Sequence, residues 1–525
     1  MPPSFDVVVV GSGFGGAVTS CRLSDAGLRV LVLERGRRWS PDTYPRKAGD
    51  AWVWDQAHPE KRNGWLDFRL QRGVSVAQGA GVGGGSLIYA NVLIEASREL
   101  FDRGWPAEIT WSDLAPFYER VERMLQPRCV PQNQVPERLN VLRQAACASG
   151  FETRFRPLPV AITFDDEWRY SRERPFDAMH SRKWINEHGK EQGTCVHCGN
   201  CYIGCPVGAR NTLDLNYLAR AEAHGAEVRP LHVVRSIAPE GNAYRIEFDR
   251  IENGRLVRGS VIAARVIIAA GSLGSTELLL RCRNQFKTLP NISGALGHRW
   301  SANGDFLTVS LQPAVVNPTH GPSITAAVDF LDGSVGGNRF FVEDGGFPDF
   351  LRAVMEREVA FDARNLTFST MVFTLALVLR RQGQFPNLMP WFGQAMDAAD
   401  GQLYLGRRFL APWKRKLKLK WCCTASRDTI EAMIAMHSEF AKATGGRALS
   451  PVLWKLLKTL VTPHPLGGCS MADTAATGVV DHRGQVFGYP NLFVADGSVI
   501  PRAIGLNPSK TIAAVAERTA ALMIA

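Results

Sequence analysis

A glycine-rich turn between two apolar strands near the start of the chain is the feature that most constrains the fold. The run Phe5–Val10 leads directly into Gly11-Ser12-Gly13-Phe14-Gly15-Gly16, and a helix-compatible stretch, the apolar run Val30–Leu33 and Glu34 follow. Glycine lets a pyrophosphate approach the backbone, and the free N–H groups of a helix N-terminus bind it. An acid about 20 residues beyond the glycines can bind ribose hydroxyls. The segment therefore predicts a Rossmann-type dinucleotide site.

A second glycine-rich segment, Gln78-Gly79-Ala80-Gly81-Val82-Gly83-Gly84-Gly85-Ser86, indicates which dinucleotide is bound. A nicotinamide enzyme has no obvious need for such a loop, whereas an extended FAD needs close backbone approach at its pyrophosphate and its isoalloxazine. We therefore expect FAD. Short strands predicted over 226–229 and 232–234, and a buried strand over 266–270 that ends at Gly271, complete the nucleotide-binding part. Val233 is either a contact of the adenine or an ordinary core residue.

Composition and charge restrict the remaining possibilities. A chain of 525 residues with 45% hydrophobic content is expected to form two or more domains. The net charge is +11, but arginine is spread along the chain without a basic tail or an RNA-type aromatic motif, so no nucleic-acid partner is expected. The 11 cysteines are odd in number, which argues against a disulfide framework.

Hydropathy gives an expectation for location. No segment reaches the roughly 18 apolar residues of a membrane span, and the apolar run Met371–Leu379 is too short. The chain begins almost directly with a strand of the buried type, which leaves no room for a signal peptide. We expect a cytoplasmic protein without a transmembrane segment. Peripheral membrane contact stays open, because an apolar substrate must be collected from somewhere.

His464 is the candidate catalytic base. Oxidation of an alcohol by a flavin requires loss of the hydroxyl proton while a hydride leaves the adjacent carbon, and a neutral imidazole suits the first task. The residue lies in Thr462-Pro463-His464-Pro465-Leu466-Gly467-Gly468, where prolines fix the turn and glycines allow close packing against a ring. Asn507 precedes a final helix predicted over 511–523, and its amide could bind the substrate oxygen or act as a helix cap.

The order of these motifs resembles the glucose–methanol–choline (GMC) family of flavoenzymes, and within it the cholesterol-oxidase-like branch. The match weakens over about 286–460. The segments that carry the resemblance are Gly11–Gly16, Gly81–Asn91, Gly208-Ala209-Arg210-Asn211-Thr212-Leu213, His464–Gly468, and Asp496-Gly497-Ser498 through Asn507-Pro508.

The resemblance implies roles for residues that spacing alone leaves unassigned. It implies that His464 and Asn507 act as a pair, that Asp496-Gly497-Ser498 contacts the ribityl chain and pyrophosphate, and that Asn91 lies near the flavin. Some steroid oxidases of the family use a glutamate base, for which this sequence offers no match. The residues predicted to bind the cofactor are Gly11, Gly13, Phe14, Gly15, Gly16, Glu34, Arg35, Gly79, Gly83, Gly84, Ser86, Asn91, Val233, Gly271, Asp496, Gly497, Asn507 and Pro508.

Cys195, Cys198, Cys201 and Cys205 form a spaced cluster that is followed by a proline. The pattern C-x2-C-x2-C-x3-C-P has ferredoxin-type spacing, in which thiolates hold an iron–sulfur cluster. In two-cluster ferredoxins the fourth cysteine ligates the other cluster, and this chain has no second set. A three-iron cluster, a cubane, a zinc site and thiols without metal all remain open. Certain dehydrogenases that the segment resembles pass electrons from flavin to an external acceptor through such a loop.

We predict an α/β fold, in which a Rossmann-like FAD-binding domain is interleaved with an α+β substrate domain built on an antiparallel sheet. Residues 1–100, 190–285 and 462–525 are assigned to the first domain. Residues 101–189 and 286–461 are assigned to the second, with strands over 403–405 and 416–420. Trp391-Phe392-Gly393 and Trp413 are candidates for the lining of an apolar cavity, or ordinary core residues.

The first functional interpretation is an FAD-dependent oxidoreductase. It would oxidise the CH–OH group of a hydrophobic alcohol, with a sterol-like molecule as one candidate, to a carbonyl by hydride transfer to flavin N5. The electron acceptor would be molecular oxygen, a protein or a quinone. One alternative is a dehydrogenase of a sugar or an aromatic alcohol that passes electrons through an iron–sulfur cluster. The other is a flavin- and metal-bearing electron-transfer or redox-sensing module without alcohol turnover.

Overall fold

The first sheet of the computed structural model has the order of a Rossmann-like domain. The model describes residues 4–47, 49–349, 385–408, 411–450, 454 and 459–525, and Met371–Leu379 lies outside them. Five strands run parallel, and two antiparallel strands extend one edge. In spatial order the strands are β8 (Glu227–Arg229), β2 (Val30–Leu33), β1 (Phe5–Val10), β11 (Arg255–Ile268), β10 (Ala243–Glu252) and β9 (His232–Glu240), with β20 (Leu492–Val494) also paired to β11.

Continuous valine and leucine runs explain the central strands of this sheet. The valines of β1 and the whole of β2 are buried. Strands covered on both faces read as unbroken apolar runs rather than as alternating ones. Because the neighbours β1, β11 and β20 all run the same way, their carboxyl ends meet at one edge of the sheet.

Helices cover this sheet and place their N-termini near that edge. Helix α1 (Phe14–Asp25) packs against α4 (Tyr217–Ala223) and against α7 (Ser509–Ile524), and α7 also packs against α2 (Trp111–Leu125). Helix α5 (Gly271–Leu280) begins directly after β11 and continues as a π-helical turn, Arg281–Phe286. The C-terminal helix thus lies beside the helix of the first glycine turn.

The second sheet is antiparallel and has helices on its surface. Helix α6 (Arg427–Ala443) packs against this sheet, and α3 (Glu137–Ala148) packs against α6. In spatial order the strands are β18 (Arg447–Ala448), β12 (Phe306–Leu311), β15 (Leu388–Ala395), β14 (Asn338–Asp344), β13 (Ala326–Val335) and β5 (Phe155–Pro157). The two sheets confirm the predicted fold class, an α/β Rossmann-like part with an antiparallel sheet beside it.

Smaller sheets connect these parts. Strand β4 (Val74–Gly79) pairs with β3 (Leu66–Gln71) and, in parallel, with β19 (Leu460–Thr462). Strand β6 (Lys183–Ile185) pairs with β7 (Glu191–Gly193). The strands predicted over 403–405 and 416–420 are present as a hairpin of β16 (Gln402–Arg408) and β17 (Ala411–Lys420).

The strands of the two large sheets come from different parts of the chain. The first sheet takes its strands from within 1–100, 190–285 and 462–525, and the second from within 101–189 and 286–461. Helix α2, from the segment assigned to the substrate domain, packs against α7. The domain boundaries themselves stay a prediction. In the described parts of the chain, no helix is both long enough and apolar enough to cross a membrane.

Arg138 of α3 joins the second sheet to the loops around it. Its side chain and that of Asp344 are both 0% exposed, and Arg138 Nη1 lies 3.0 Å from Asp344 Oδ2. The guanidinium also donates to backbone carbonyls of His320, Pro322, Ser323, Asp344 and Gly345. One buried cation therefore neutralises a buried carboxylate and fixes two loops at the end of β14.

Replacing Arg138 by methionine is expected to lower the free energy of unfolding by about 3–5 kcal/mol, because the buried Asp344 carboxyl would lose the positive charge beside it and keep only its hydrogen bonds from Thr325 and Ala326. Urea-induced unfolding followed by tryptophan fluorescence measures the change. The control is Arg250→Met, which removes an ion pair to Glu252 in which both side chains are 48% exposed. It is expected to cost less than about 1 kcal/mol. Equal losses in the two variants would contradict this account of Arg138.

Candidate active site

A single cavity of about 700 Å³ is lined by both ends of the chain. The first glycine turn, the second glycine-rich loop and the segments around His464 and Asn507 all contribute to its wall. The structure thus brings together residues that are separated by more than 400 positions. The predicted residues that line the cavity are Gly11, Gly13, Phe14, Gly15, Glu34, Arg35, Gly79, Gly84, Val233, Gly271, His464, Asp496, Gly497, Asn507 and Pro508.

The glycine loops form a cradle with space left for a ligand. A Cβ built on Gly13 would have no neighbour closer than 3.9 Å, and one built on Gly85 would meet nothing within 4 Å, yet both residues line the cavity. Helix α1 starts at Phe14 without a side-chain cap, so its first N–H groups are free to bind an anion. These features fit the pyrophosphate of FAD.

Three glycine-loop residues predicted to contact the cofactor lie behind the cavity wall instead. A Cβ on Gly16 would stand 2.0 Å from Gly11 O, so this glycine permits close packing of α1 on the turn. Gly83 has a φ of +104° and its N–H donates to Ser12 Oγ, which joins the two loops. Ser86 Oγ donates to Gly83 O and accepts from Leu213 N. These residues shape the cradle rather than line it.

Asn91 also lies behind the wall. Its side chain is buried, and its Oδ1 accepts a hydrogen bond of 2.7 Å from Arg210 Nε. Arg210 in turn donates to the backbone carbonyls of Ser86, Leu87 and Tyr89. Asn91 therefore acts on the second glycine loop through Arg210, and the structure does not bring it to the cavity surface.

Two acids at the carboxyl ends of the parallel strands hold the cradle together. Glu34 accepts hydrogen bonds from the backbone and hydroxyl of Ser12 and from Gly36 N. Asp496 accepts from Ser498 N and Gly271 N, each at 2.8 Å, and from a serine hydroxyl. Burial raises the pKa of Asp496. Both carboxyls line the cavity while they fix the backbone around it.

An ion cluster that the sequence did not reveal completes the wall near Arg35. Asp67 lies 2.7 Å from Arg35 and 2.9 Å from Arg69, and Arg69 lies 2.9 Å from Glu277. Burial opposes the ionisation of Asp67, but the adjacent arginines outweigh it and lower its pKa. Arg35 also stacks on Trp54, with its guanidinium carbon 4.3 Å from the ring centroid.

His464 is held by a buried carboxyl that the sequence analysis missed. Its Nδ1 lies 3.0 Å from Asp305 Oδ1, and the Asp305 side chain is 0% exposed. The carboxyl acceptor assigns the proton of the neutral imidazole to Nδ1, which leaves Nε2 as an acceptor. Burial raises the pKa of Asp305, while His464 and Thr462 oppose that rise. The imidazole is thus arranged to take a proton from a cavity ligand.

Asn507 faces the same cavity and does not cap the following helix. Helix α7 begins at Ser509 with Pro508 as its N-cap residue and no side-chain cap. Asn507 Oδ1 is buried, and no described residue hydrogen-bonds to it. The amide is therefore available to a ligand, as the predicted pair with His464 requires.

Glu343 of β14 lies beside Asn507 but does not line the cavity. Burial raises its pKa well above the usual range, and hydrogen bonds from Gln394 and Asn507 oppose that rise. Through its hydrogen bond with the Asn507 side chain, the Glu343 carboxyl can orient the Asn507 amide from behind. Its position on a strand far from both catalytic segments left no local signal in the sequence.

The geometry of the four clustered cysteines does not support the iron–sulfur cluster that their spacing suggested. Among the residues that the structure describes, no three His, Cys, Asp or Glu side chains are placed to hold a metal ion. None of the four thiols is part of a disulfide bond. Cys195 Sγ accepts a hydrogen bond from His197 N, and Cys205 Sγ accepts one from Ala209 N. The geometry gives the iron–sulfur prediction no support.

The cavity wall around His464 is apolar. Phe392 contributes to this wall, whereas Trp391 is buried and donates its indole N–H to Ser310. The side chain of Trp413 lies outside the described residues. Other apolar side chains that line the cavity are Leu307, Ile324, Phe347, Val461 and Pro463.

Two alanine substitutions distinguish the cradle from the packing beneath it. Gly13→Ala places a methyl group in the cavity, so we expect an intact fold and FAD binding weakened by about 1–3 kcal/mol. In Gly15→Ala the Cβ would stand 1.4 Å from Ala495 O, so the fold itself is expected to fail. Flavin content and thermal unfolding of the apoprotein measure the two effects. Equal flavin content in Gly13→Ala and the unsubstituted protein would contradict the assignment of the cradle.

Comparisons with known proteins agree with this geometry. The chain matches the GMC oxidoreductase models over 181–283 and 421–516, and a model of the NAD(P)-binding Rossmann-like domain over 9–60. It is 29% identical to a cholesterol oxidase of Acinetobacter baumannii, with 98% of this chain and 93% of that protein aligned. It is 30% identical to a cholesterol oxidase of Mycobacterium tuberculosis strain H37Rv, with 99% and 91% aligned.

A solved structure shows the same fold at lower identity. Pyridoxine 4-oxidase from Mesorbium loti superposes with a TM-score of 0.63 at 16% identity, over 99% of both chains. The alignments with the two cholesterol oxidases cover nearly the whole length of those proteins. The two GMC family models match segments that lie before and after the weakly matched middle of the chain. The chain therefore belongs to the GMC oxidoreductase family and is an FAD-dependent alcohol oxidoreductase.

Proposed function

We propose that the protein oxidises the CH–OH group of a hydrophobic alcohol to a carbonyl, with a sterol as the first candidate substrate. One observation carries this proposal: His464 and Asn507 share a single cavity with the glycine cradle and an apolar wall. A polar pair in a cavity with an apolar wall suits a ligand with one hydroxyl on a hydrophobic body. The cholesterol oxidases among the relatives support the same substrate class.

In this proposal His464 is the base and Asn507 positions the substrate. His464 Nε2 accepts the hydroxyl proton, because Nδ1 faces the Asp305 carboxyl and would carry the proton of the neutral imidazole there. The Asn507 amide binds the alcohol oxygen and keeps the carbinol carbon in one orientation. When bound, FAD supplies the hydride acceptor at N5 of its ring. The apolar side chains exclude water and so strengthen the hydrogen bonds at the reacting oxygen.

One assay distinguishes molecular oxygen from a protein or quinone as the electron acceptor. Under air, an oxidase releases hydrogen peroxide at the rate at which the alcohol is consumed, whereas a dehydrogenase releases little and needs a protein or quinone acceptor. We propose molecular oxygen, the acceptor that the word oxidase implies for the relatives. Peroxide formation far below the rate of alcohol oxidation would overturn this choice without affecting the proposed chemistry.

Replacing His464 by alanine is expected to slow anaerobic flavin reduction by a 3β-hydroxysterol about 100- to 10,000-fold, because the general base is lost. Stopped-flow bleaching of the flavin measures the rate, and the absorption spectrum checks that FAD stays bound. His298→Ala removes an exposed histidine and serves as the control. If sterols, aromatic alcohols and sugars all fail to bleach the unsubstituted protein, a redox module without alcohol turnover becomes the better interpretation.

Ile324→Thr tests the apolar wall. Ile324 is buried and lines the cavity, so a hydroxyl there is expected to weaken sterol binding by about 1–3 kcal/mol. The expected result is a higher KM for the sterol with little change for a short alcohol. Val315→Thr, at a side chain that is 53% exposed, is the control. An equal effect on short and sterol alcohols would argue against a sterol-binding wall.

A further inference from the structure

Three consecutive residues in the weakly matched middle of the chain touch both catalytic segments. Asn303-Gly304-Asp305 immediately precedes β12, and all three residues are buried. Asn303 and Gly304 have φ angles of +54° and +60°, so the backbone turns sharply here. A Cβ on Gly304 would stand 2.6 Å from Ala395, which leaves glycine as the residue that fits.

The Asn303 side chain holds the segment that ends at Asn507. Its Oδ1 accepts from Ile504 N at 3.0 Å and from Gly505 N at 2.9 Å, and its Nδ2 donates to Leu506 O at 2.9 Å. Three hydrogen bonds from one buried amide thus fix the three residues before Asn507.

The Asp305 side chain holds the segment that carries His464. Its Oδ1 faces His464 Nδ1 at 3.0 Å, and its Oδ2 accepts from Thr462 Oγ1 at 2.6 Å. Thr462 Oγ1 also accepts from His464 N at 2.9 Å. The carboxyl therefore fixes the imidazole directly, and its backbone through the threonine.

The turn itself is anchored from the end of β15. Asp397 accepts hydrogen bonds from Ser301 Oγ, Ala302 N and Gly304 N. Ala395 N donates to the backbone carbonyl of Asn303 at 3.0 Å. The second sheet therefore provides a fixed base for side chains that reach into the FAD-binding part.

We propose that Asn303-Gly304-Asp305 is a positioning element that sets the His464–Asn507 pair, and that Asp305 holds His464 in the tautomer that accepts the substrate proton. This inference rests on the proposed function. Asp305 keeps the proton on Nδ1 and so leaves Nε2 free. When the alcohol is oxidised, its hydroxyl proton would pass to His464 Nε2, and FAD, when bound, would supply the acceptor for the hydride that leaves the carbinol carbon, so that a carbonyl forms.

The groups that face Asp305 make it the acceptor in this arrangement. His464 and Thr462 contact Asp305, and Glu343 of β14 is a nearby acid that interacts with it electrostatically. Burial raises the pKa of Glu343 well above its usual range, which favours the neutral form of this carboxyl beside Asp305.

The first test reads the tautomer without using the reaction. Holoprotein labelled with ¹⁵N-histidine is examined by long-range ¹H–¹⁵N NMR, and a difference spectrum against His464→Asn assigns the signals of His464. We expect the Nδ1–H tautomer in the unsubstituted protein and a mixture, or the Nε2–H tautomer, in Asp305→Asn. The Nε2–H tautomer in the unsubstituted protein, or an unchanged tautomer in Asp305→Asn, would overturn the proposal.

The second test measures the rate of flavin reduction by the alcohol. Asp305→Asn is expected to reduce the rate constant about 100-fold or more, with the Kd of the alcohol and the FAD content within about twofold. A purely structural role would lower FAD content or Tm and leave the rate constant of the FAD-loaded protein unchanged, and this result would overturn the proposal.

Variants at Thr462 keep the proposal testable if Asp305→Asn folds poorly. Thr462→Val removes the hydroxyl that bonds both Asp305 and His464 N, and is expected to slow flavin reduction about tenfold. Thr462→Ser restores the hydroxyl and is expected to regain most of that rate. Equal rates in the valine and serine variants would count against the proposal. If no alcohol reduces the unsubstituted protein, the proposed function fails, and the NMR test still decides the role of Asp305.

Discussion

The approach of the first glycine turn to the segment before Asp496 is the contact on which the site depends. At Gly15 there is no room for a side chain, because a Cβ would stand 1.4 Å from Ala495 O. The two backbones therefore meet directly, and β20 joins the sheet beside β11. Since α7 follows this segment and packs on α1, Asn507 is carried to the same cavity as the cradle. Without this contact the two ends of the chain would form separate walls.

The FAD-binding part of the fold could be predicted because its signals are local. A strand, a glycine turn, a helix and a terminal acid follow one another within the first 34 residues, and each is required by pyrophosphate and ribose binding. The glycine pattern did not show, however, which glycines line the cavity and which permit close packing behind its wall. Gly13 lines the cavity and Gly16 permits helix packing, although both belong to one motif. The distinction depends on which backbone lies opposite, and that is a property of the tertiary structure.

The partners of the catalytic residues were not predictable from local patterns. Asp305 precedes His464 by 159 positions, and Asn303 acts on backbone groups more than 200 positions away. Buried polar residues of this kind need hydrogen-bond partners inside the protein. Their role therefore depends on the groups that they contact in the folded structure and not on their spacing in the sequence. The cysteine cluster shows the reverse case. Its spacing is typical of a metal site, but the described geometry holds none, and Tyr202 and Ile203 of this loop instead line the cavity.

The pairing of β20 with β11 has a consequence for biosynthesis. Residues 266–268 of β11 pair with β1 on one side and with β20 on the other, and β20 lies more than 220 residues later in the chain. A nascent chain on the ribosome therefore carries an open strand edge until β20 has emerged, which is the kind of edge that favours aggregation. The cavity, which Asn507 and Pro508 help to line, is complete only after these residues have been translated.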